Sequence, residues 1–153
     1  MWKKILATGI LFSSSLFPFT PVEAIQVRQD CVKISGYDWK RFNGSIVVGR
    51  KVYNPDASLF LNNPPYEITC KLLDKVSIVN VSLAIPDNSA FNSVKVQFYI
   101  EGNLAKTVNV FQGSVTAFSL DLRGVTNFSV TYQFIGTGAG RDDNIYLLQW
   151  DYN

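Results

Sequence analysis

The sequence predicts an all-β fold, an antiparallel β-sandwich of the jelly-roll kind. Three observations carry this reading. Beyond residue 24, apolar side chains recur with a period of two and not of 3.6. The alternating runs are short, and Gly, Asn and Pro turn signals separate them. About eight or nine such runs follow one another at the spacing of a sandwich.

The first segment, residues 1–24, reads as a secretory signal. Trp2-Lys3-Lys4 is a short basic start, and Ile5 to Phe17 is apolar apart from Thr8, Gly9 and Ser13 to Ser15. Pro18 and Pro21 break this run, and Val22-Glu23-Ala24 presents side chains of the size a signal peptidase accepts. The apolar run is too short for a bilayer span, which needs about 20 apolar residues. The expectation is cleavage after Ala24, a secreted or periplasmic location, and no membrane span in the mature chain. Residues 25–153 are then expected to form a single β-sandwich domain.

Within it the strands declare themselves by alternation. Val94, Val96, Phe98 and Ile100 share one face, opposite Lys95, Gln97, Tyr99 and Glu101. Phe128, Val130, Tyr132 and Phe134 do the same, as do Val79, Val81, Leu83 and Ile85, and then Phe118, Leu120 and Leu122. One face of each is expected on a core, the other toward water or a loop. The segment Asn144 to Trp150 is apolar on both faces and should lie centrally in a sheet. Glu101-Gly102-Asn103 fits a tight hairpin, while Gln112-Gly113 and Arg123-Gly124 mark further turns. Residues 62–65 and 86–92 are longer loops.

Composition excludes much chemistry. The 153 residues contain no histidine, which removes Ser-His-Asp and Cys-His catalysis and the common zinc sites. Taking Lys3, Lys4 and Glu23 from the 14 basic and 12 acidic residues leaves a net charge of +1. No concentrated basic patch is present, so no nucleic-acid partner is expected. No catalytic set is recognisable, and the chain is expected not to be an enzyme. The two cysteines, Cys31 and Cys70, are expected to pair after export.

The stretch from Gly136 to Trp150 raises a choice of chemistries. Its three glycines, Gly136, Gly138 and Gly140, resemble a phosphate loop, but a β-type segment follows where a dinucleotide fingerprint needs a helix. Asp142-Asp143-Asn144 can be read as oxygen ligands of a structural calcium, or as a solvated polar turn, the reading favoured here. No other cofactor is expected. Trp150 is expected in the core, whereas Trp39, Tyr53 and Tyr66 sit beside loop signals and are candidates for exposure.

The order of these segments resembles the NPCBM family of carbohydrate-binding modules, of the kind found beside family-98 glycosidases. The resemblance runs from Val47 to Trp150. It rests on the segment from Val48 to Leu72, the hairpin from Phe91 to Val110, the pair from Phe118 to Tyr132, and the glycine loop before the last strand. The resemblance implies a galactose-binding-like jelly roll that binds a glycan or polysaccharide without catalysis. Its histidine falls where this chain has Asn62 and Asn63, its Asp-His pair where this chain has Tyr146-Leu147, and its Asp-Gly turn at Glu101-Gly102. Variable chemistry in a sandwich gathers on loops at one end. Here Arg141, Asp142, Asp143 and Asn144 supply the polar groups, and the resemblance adds Asn62, Asn63 and, as the aromatic, Tyr66. Tyr53 is a further contributor. The alternatives are a structural domain binding other extracellular proteins, having lost the sugar site, and a small glycan-acting enzyme.

Overall fold

The structure, a computed structural model, describes residues 31–36, 39–61, 66–72, 77–135 and 143–152. The signal segment, Asn62, Asn63, Arg141 and Asp142 lie outside the described residues, and β1 is described at Cys31 by its backbone alone.

The protein is an antiparallel β-sandwich, with no helix among the described residues. One five-stranded sheet runs in the order β1 (Cys31–Gly36), β6 (Tyr66–Leu72), β11 (Asn127–Ile135), β8 (Ser93–Ile100) and β9 (Asn103–Phe111). The other runs β10 (Ser114–Asp121), β7 (Ile78–Ile85), β12 (Asp143–Tyr152), β5 (Ala57–Leu61) and β2 (Lys40–Arg41). A separate hairpin joins β3 (Ile46–Val48) to β4 (Lys51–Tyr53). The strand count exceeds the eight or nine expected because β2, β3 and β4 are only two or three residues long. Such runs are too brief to show a period of two.

The alternating residues occupy the core as predicted. Val79, Val81, Leu83, Val94, Val96, Phe98, Phe128, Val130 and Tyr132 are all buried between the two sheets. Removing apolar surface from water at about 25 cal/mol per Å² is the term that drives this assembly. Gln112-Gly113 and Arg123-Gly124 are not hairpin turns. They carry the chain from one sheet to the other, between β9 and β10 and between β10 and β11.

β12 is the central strand of its sheet, and both its faces are buried for separate reasons. Ile145 and Leu147 face the main core. Tyr146 faces outward, where Ile46 and Val48 of the β3–β4 hairpin cover it together with Ala84. The hairpin therefore shields part of the outer face of β7, which alternation alone assigned to water or a loop.

Two aromatic expectations are corrected. Trp39 is 8% exposed and Tyr66 only 1% exposed, and both belong to the main core. Tyr66 opens β6 in phase with Ile68, Cys70 and Leu72, so the alternation turns it inward. Trp39 packs edge-to-face on Tyr132 at 5.9 Å and hydrogen-bonds its hydroxyl. Burial pushes the Tyr132 hydroxyl's pKa up, and the bond from Trp39 partly offsets this. Trp150 packs against the core as expected, with its ring 6.2 Å from that of Phe128. Cys70 is buried and is not a free thiol.

Candidate functional site

The antiparallel register decides which loops meet. Asp143 pairs with Leu61. The 62–65 loop leaves β5, and the 136–142 loop enters β12, at neighbouring points. The ends of the two loops selected from the sequence are thus adjacent.

A third loop, residues 86–92 between β7 and β8, is tied to the same place. One oxygen of the Asp143 carboxylate accepts hydrogen bonds from the Ser89 hydroxyl at 2.7 Å and the Ala90 N–H at 2.6 Å. The other accepts from the Asn144 N–H at 2.7 Å. The Gln112 side-chain amide donates to the Asp87 and Ser89 carbonyls at 2.8 and 3.0 Å.

Asp87 anchors the hairpin to this loop. Its carboxylate accepts from the Gly49 N–H at 2.7 Å and the Arg50 N–H at 3.2 Å, while its own N–H donates to the Val47 carbonyl at 2.9 Å. Gly49 and Arg50 have φ of 57° and 66°, the left-handed pair that a two-residue hairpin turn requires. Arg50 bears this cost because Asp87 satisfies the turn's N–H groups. Gly113 faces the same carboxylate: a Cβ there would lie 2.9 Å from an Asp87 oxygen, so only glycine fits without displacement.

On this framework two side-chain pairs line the outer face of the second sheet. Phe60 lies directly opposite Asn144, and Ser58 directly opposite Tyr146. The Phe60 ring is 44% exposed although its strand neighbours Leu59 and Leu61 are buried. The Asn144 side-chain amide has no hydrogen-bond partner among the described residues. Directly opposite side chains in such a ladder lie about 5 Å apart at Cβ. An aromatic face and a planar amide with no partner among the described residues thus stand together near the ends of β5 and β12.

Beside them is a cavity of about 450 Å³, lined by Phe42, Ser45, Val47, Asp87, Asn88 and Tyr146 among others. Phe42 and Tyr146 meet edge-to-face at 5.0 Å. Burial raises the Tyr146 hydroxyl's pKa, and the Asp143 carboxylate adds to this, so the phenol stays protonated and can donate. A second, smaller void of about 30 Å³ lies inside the core, lined by Val81, Leu83, Phe98 and Phe128.

Of the sequence-selected residues, Asn144 lies on the outer face opposite Phe60, and Tyr66 is buried in the core. Tyr53 packs against the small outer cluster. Asn62, Asn63, Arg141 and Asp142 lie outside the described residues. Phe60 was missed by the sequence reading. Its signal was present: in Ala57 to Leu61, Phe60 falls on the outward phase of an alternating strand, where a large ring is unexpected. Asp143 serves as a loop anchor, since hydrogen-bond donors hold both its oxygens. Among the described residues no cluster of three His, Cys, Asp or Glu side chains can hold a metal.

No family model matches the chain, and no curated protein matches it. Solved structures do share its fold. The CBM51 module of a Clostridium perfringens GH95 protein, solved with methyl-galactose, has a TM-score of 0.58 at 10% identity, covering 78% of this chain and 90% of that one. The CBM51-2 and INT domains of Clostridium perfringens ZmpB give 0.57 at 13%, covering 76% and 30%. The ZmpB M60 catalytic domain with its two CBM51 domains gives 0.58 at 14%, covering 81% and 14%. This chain spans less than a third of either ZmpB structure. At these identities the shared property is the fold, an antiparallel β-sandwich that these carbohydrate-binding modules also have.

Proposed function

We propose that the protein is a non-catalytic carbohydrate-binding module of NPCBM type, which binds glycans weakly through loops at one end of its sandwich. The observation that carries this reading is the exposed Phe60 ring directly opposite Asn144, whose amide has no partner among the described residues. A sugar ring offers C–H groups on one face, which suit an aromatic surface, and hydroxyls around its edge, which suit planar donors and acceptors. Arg141, Asp142, Asn62 and Asn63 would supply further hydrogen bonds from the loops. Few and wet contacts of this kind give dissociation constants of about 10 μM to 1 mM.

A glycan array probed with the folded protein tests the reading. Retention on at least one glycan is expected, and it should be lost in Phe60→Ala and in Arg141→Ala/Asn144→Ala with circular dichroism unchanged. A folded parent that retains no glycan would favour the protein-interaction alternative. Secretion or export to the periplasm, with a mature start at Ile25, belongs to the same proposal. A mature mass still containing Lys3 and Lys4 would refute it. We also propose a Cys31–Cys70 disulfide. The backbone register pairs Cys31 with Leu72, two residues from Cys70, and Cys70 is not a free thiol. A structural calcium would have to draw on loop oxygens other than those of Asp143. Dialysis against EDTA should leave the melting temperature unchanged.

A further inference from the structure

We infer that the site takes two linked sugar residues, the second held in the cavity between Phe42, Asn88 and Tyr146. This rests on the carbohydrate-binding reading above and extends it from one sugar to a chain. Asn144 and Tyr146 project from the same face of β12, two residues apart, and Phe60 and Ser58 face them across the ladder. Two residues of strand span about 6.6 Å, close to the length of one sugar unit. The cavity therefore begins where a ring stacked on Phe60 would end.

Its chemistry repeats that of the first position. Phe42, Val47 and Tyr146 supply apolar surface. Asn88 is exposed, and its side-chain amide has no partner among the described residues. The Tyr146 hydroxyl is likewise without a hydrogen-bond partner among them, although the residue is only 8% exposed. Its ring is packed while its hydroxyl reaches the cavity wall, so the O–H is free to bond a molecule in the cavity. The other polar groups of the wall are committed: Asp87 holds the hairpin, and the Ser45 hydroxyl donates to the Asn54 side chain at 2.8 Å. The wall is also fixed before binding. Asp87, Gln112 and Asp143 hold the 86–92 loop from three directions, which lowers the ordering cost of capture.

Calorimetric or NMR titration with matched probes tests this: methyl-galactose against lactose, and N-acetylglucosamine against its β-1,4-linked dimer. The parent should bind one dimer at least tenfold more tightly than its monomer. Tyr146→Phe and Asn88→Ala remove single polar groups and should fold. Each should weaken the dimer about three- to tenfold and leave the monomer unchanged. Equal affinity of parent for monomer and dimer, or no effect of either variant on the dimer, would overturn the second position while leaving carbohydrate binding intact. If the array also shows no retention of any glycan, the functional reading itself fails.

Discussion

Both ends of the sandwich use carboxylates to tie separate segments together, but the segments they tie differ in length. At the far end β8 turns directly into β9 through Glu101-Gly102, with φ of 49° and 79°. Glu101 bonds its own turn to the neighbouring one. Its carboxylate accepts from the Thr126 and Asn127 N–H groups at 2.6 and 2.9 Å and from the Asn127 amide at 3.1 Å. At the site end, the loops 86–92 and 136–142 are seven residues each. There Asp87 and Asp143 reach out of their own segments to hold other loops in place. At one end a carboxylate joins two short turns. At the other, Asp87 joins the 86–92 loop to the β3–β4 turn and Asp143 joins it to the start of β12. The proposed site lies at this second end.

The largest expected effect strengthens the far end of this comparison. The proposed Cys31–Cys70 bridge closes the chain near Leu72, at the end away from the loops. Losing it in Cys31→Ala/Cys70→Ala should cost about 4 kcal/mol in the chain-entropy model. Chemical denaturation of parent and variant measures this, and glycan retention should survive in whatever fraction stays folded. A thiol titration of the denatured, unreduced parent should find no free cysteine. Two free thiols would remove the bridge.

Next comes Asp143→Ala, which strips the site end of its anchor. Three donors lose a charged acceptor, and the Ser89 and Ala90 groups are partly buried. A loss of about 2–3 kcal/mol is expected, together with loss of glycan retention. If stability falls and retention persists, the 86–92 loop does not need this anchor to present the site.

Glu101→Gln should produce a smaller, pH-dependent loss confined to stability. The Asn127 and Thr126 N–H bonds hold the Glu101 carboxyl below its ordinary value of 4.5. A depressed carboxyl stabilises the fold above the unfolded pKa, and this is lost as pH falls through the folded one. The melting temperatures of parent and variant should therefore differ at pH 7 and converge below pH 4.5. Glycan retention at pH 7 should be unchanged. A variant that loses retention would mean the two ends are coupled.

Much of this was legible in the sequence because period-two alternation reports burial directly. The β7, β8, β10 and β11 core faces follow from it, and the central place of β12 follows from its being apolar on both faces. It fails where a strand is too short to alternate, as in β2 to β4, and there the hairpin that forms the cavity wall was hidden. Tyr66 was misread because its neighbouring loop signal outweighed its phase with Ile68 and Cys70. Asn144 could be chosen as a polar residue beside a glycine loop. Phe60 carried a signal of its own, a large ring on the outward phase of β5, but only the register of β5 on β12 shows that it faces Asn144. The anchoring roles of Asp87 and Asp143 depend on contacts across 38 and 53 residues of chain, which no local pattern records.

The smallest effect, and the one with opposite sign, tests whether donors or mere charge make the carboxylates useful. Asp56 lies just before β5, and its N–H donates to the Leu147 carbonyl at 2.9 Å. Unlike Asp87, Asp143 and Glu101, its carboxylate has no hydrogen-bond partner among the described residues. Burial raises its pKa above 3.8, and repulsion from Asp151 adds to the rise. A raised carboxyl disfavours the charged form in the fold, so it lowers stability as pH climbs from 3.8 through the folded pKa and holds that deficit above it. Asp56→Asn keeps the size and the backbone bond and removes the charge. It should be neutral at pH 3 and slightly stabilising at pH 7, by less than about 0.5 kcal/mol because the residue is exposed. Thermal melts of both proteins at the two pH values decide it. A destabilised variant at pH 7 would show that the Asp56 charge has a favourable partner, and that the contrast between donor-held and unheld carboxylates does not extend across the sheet.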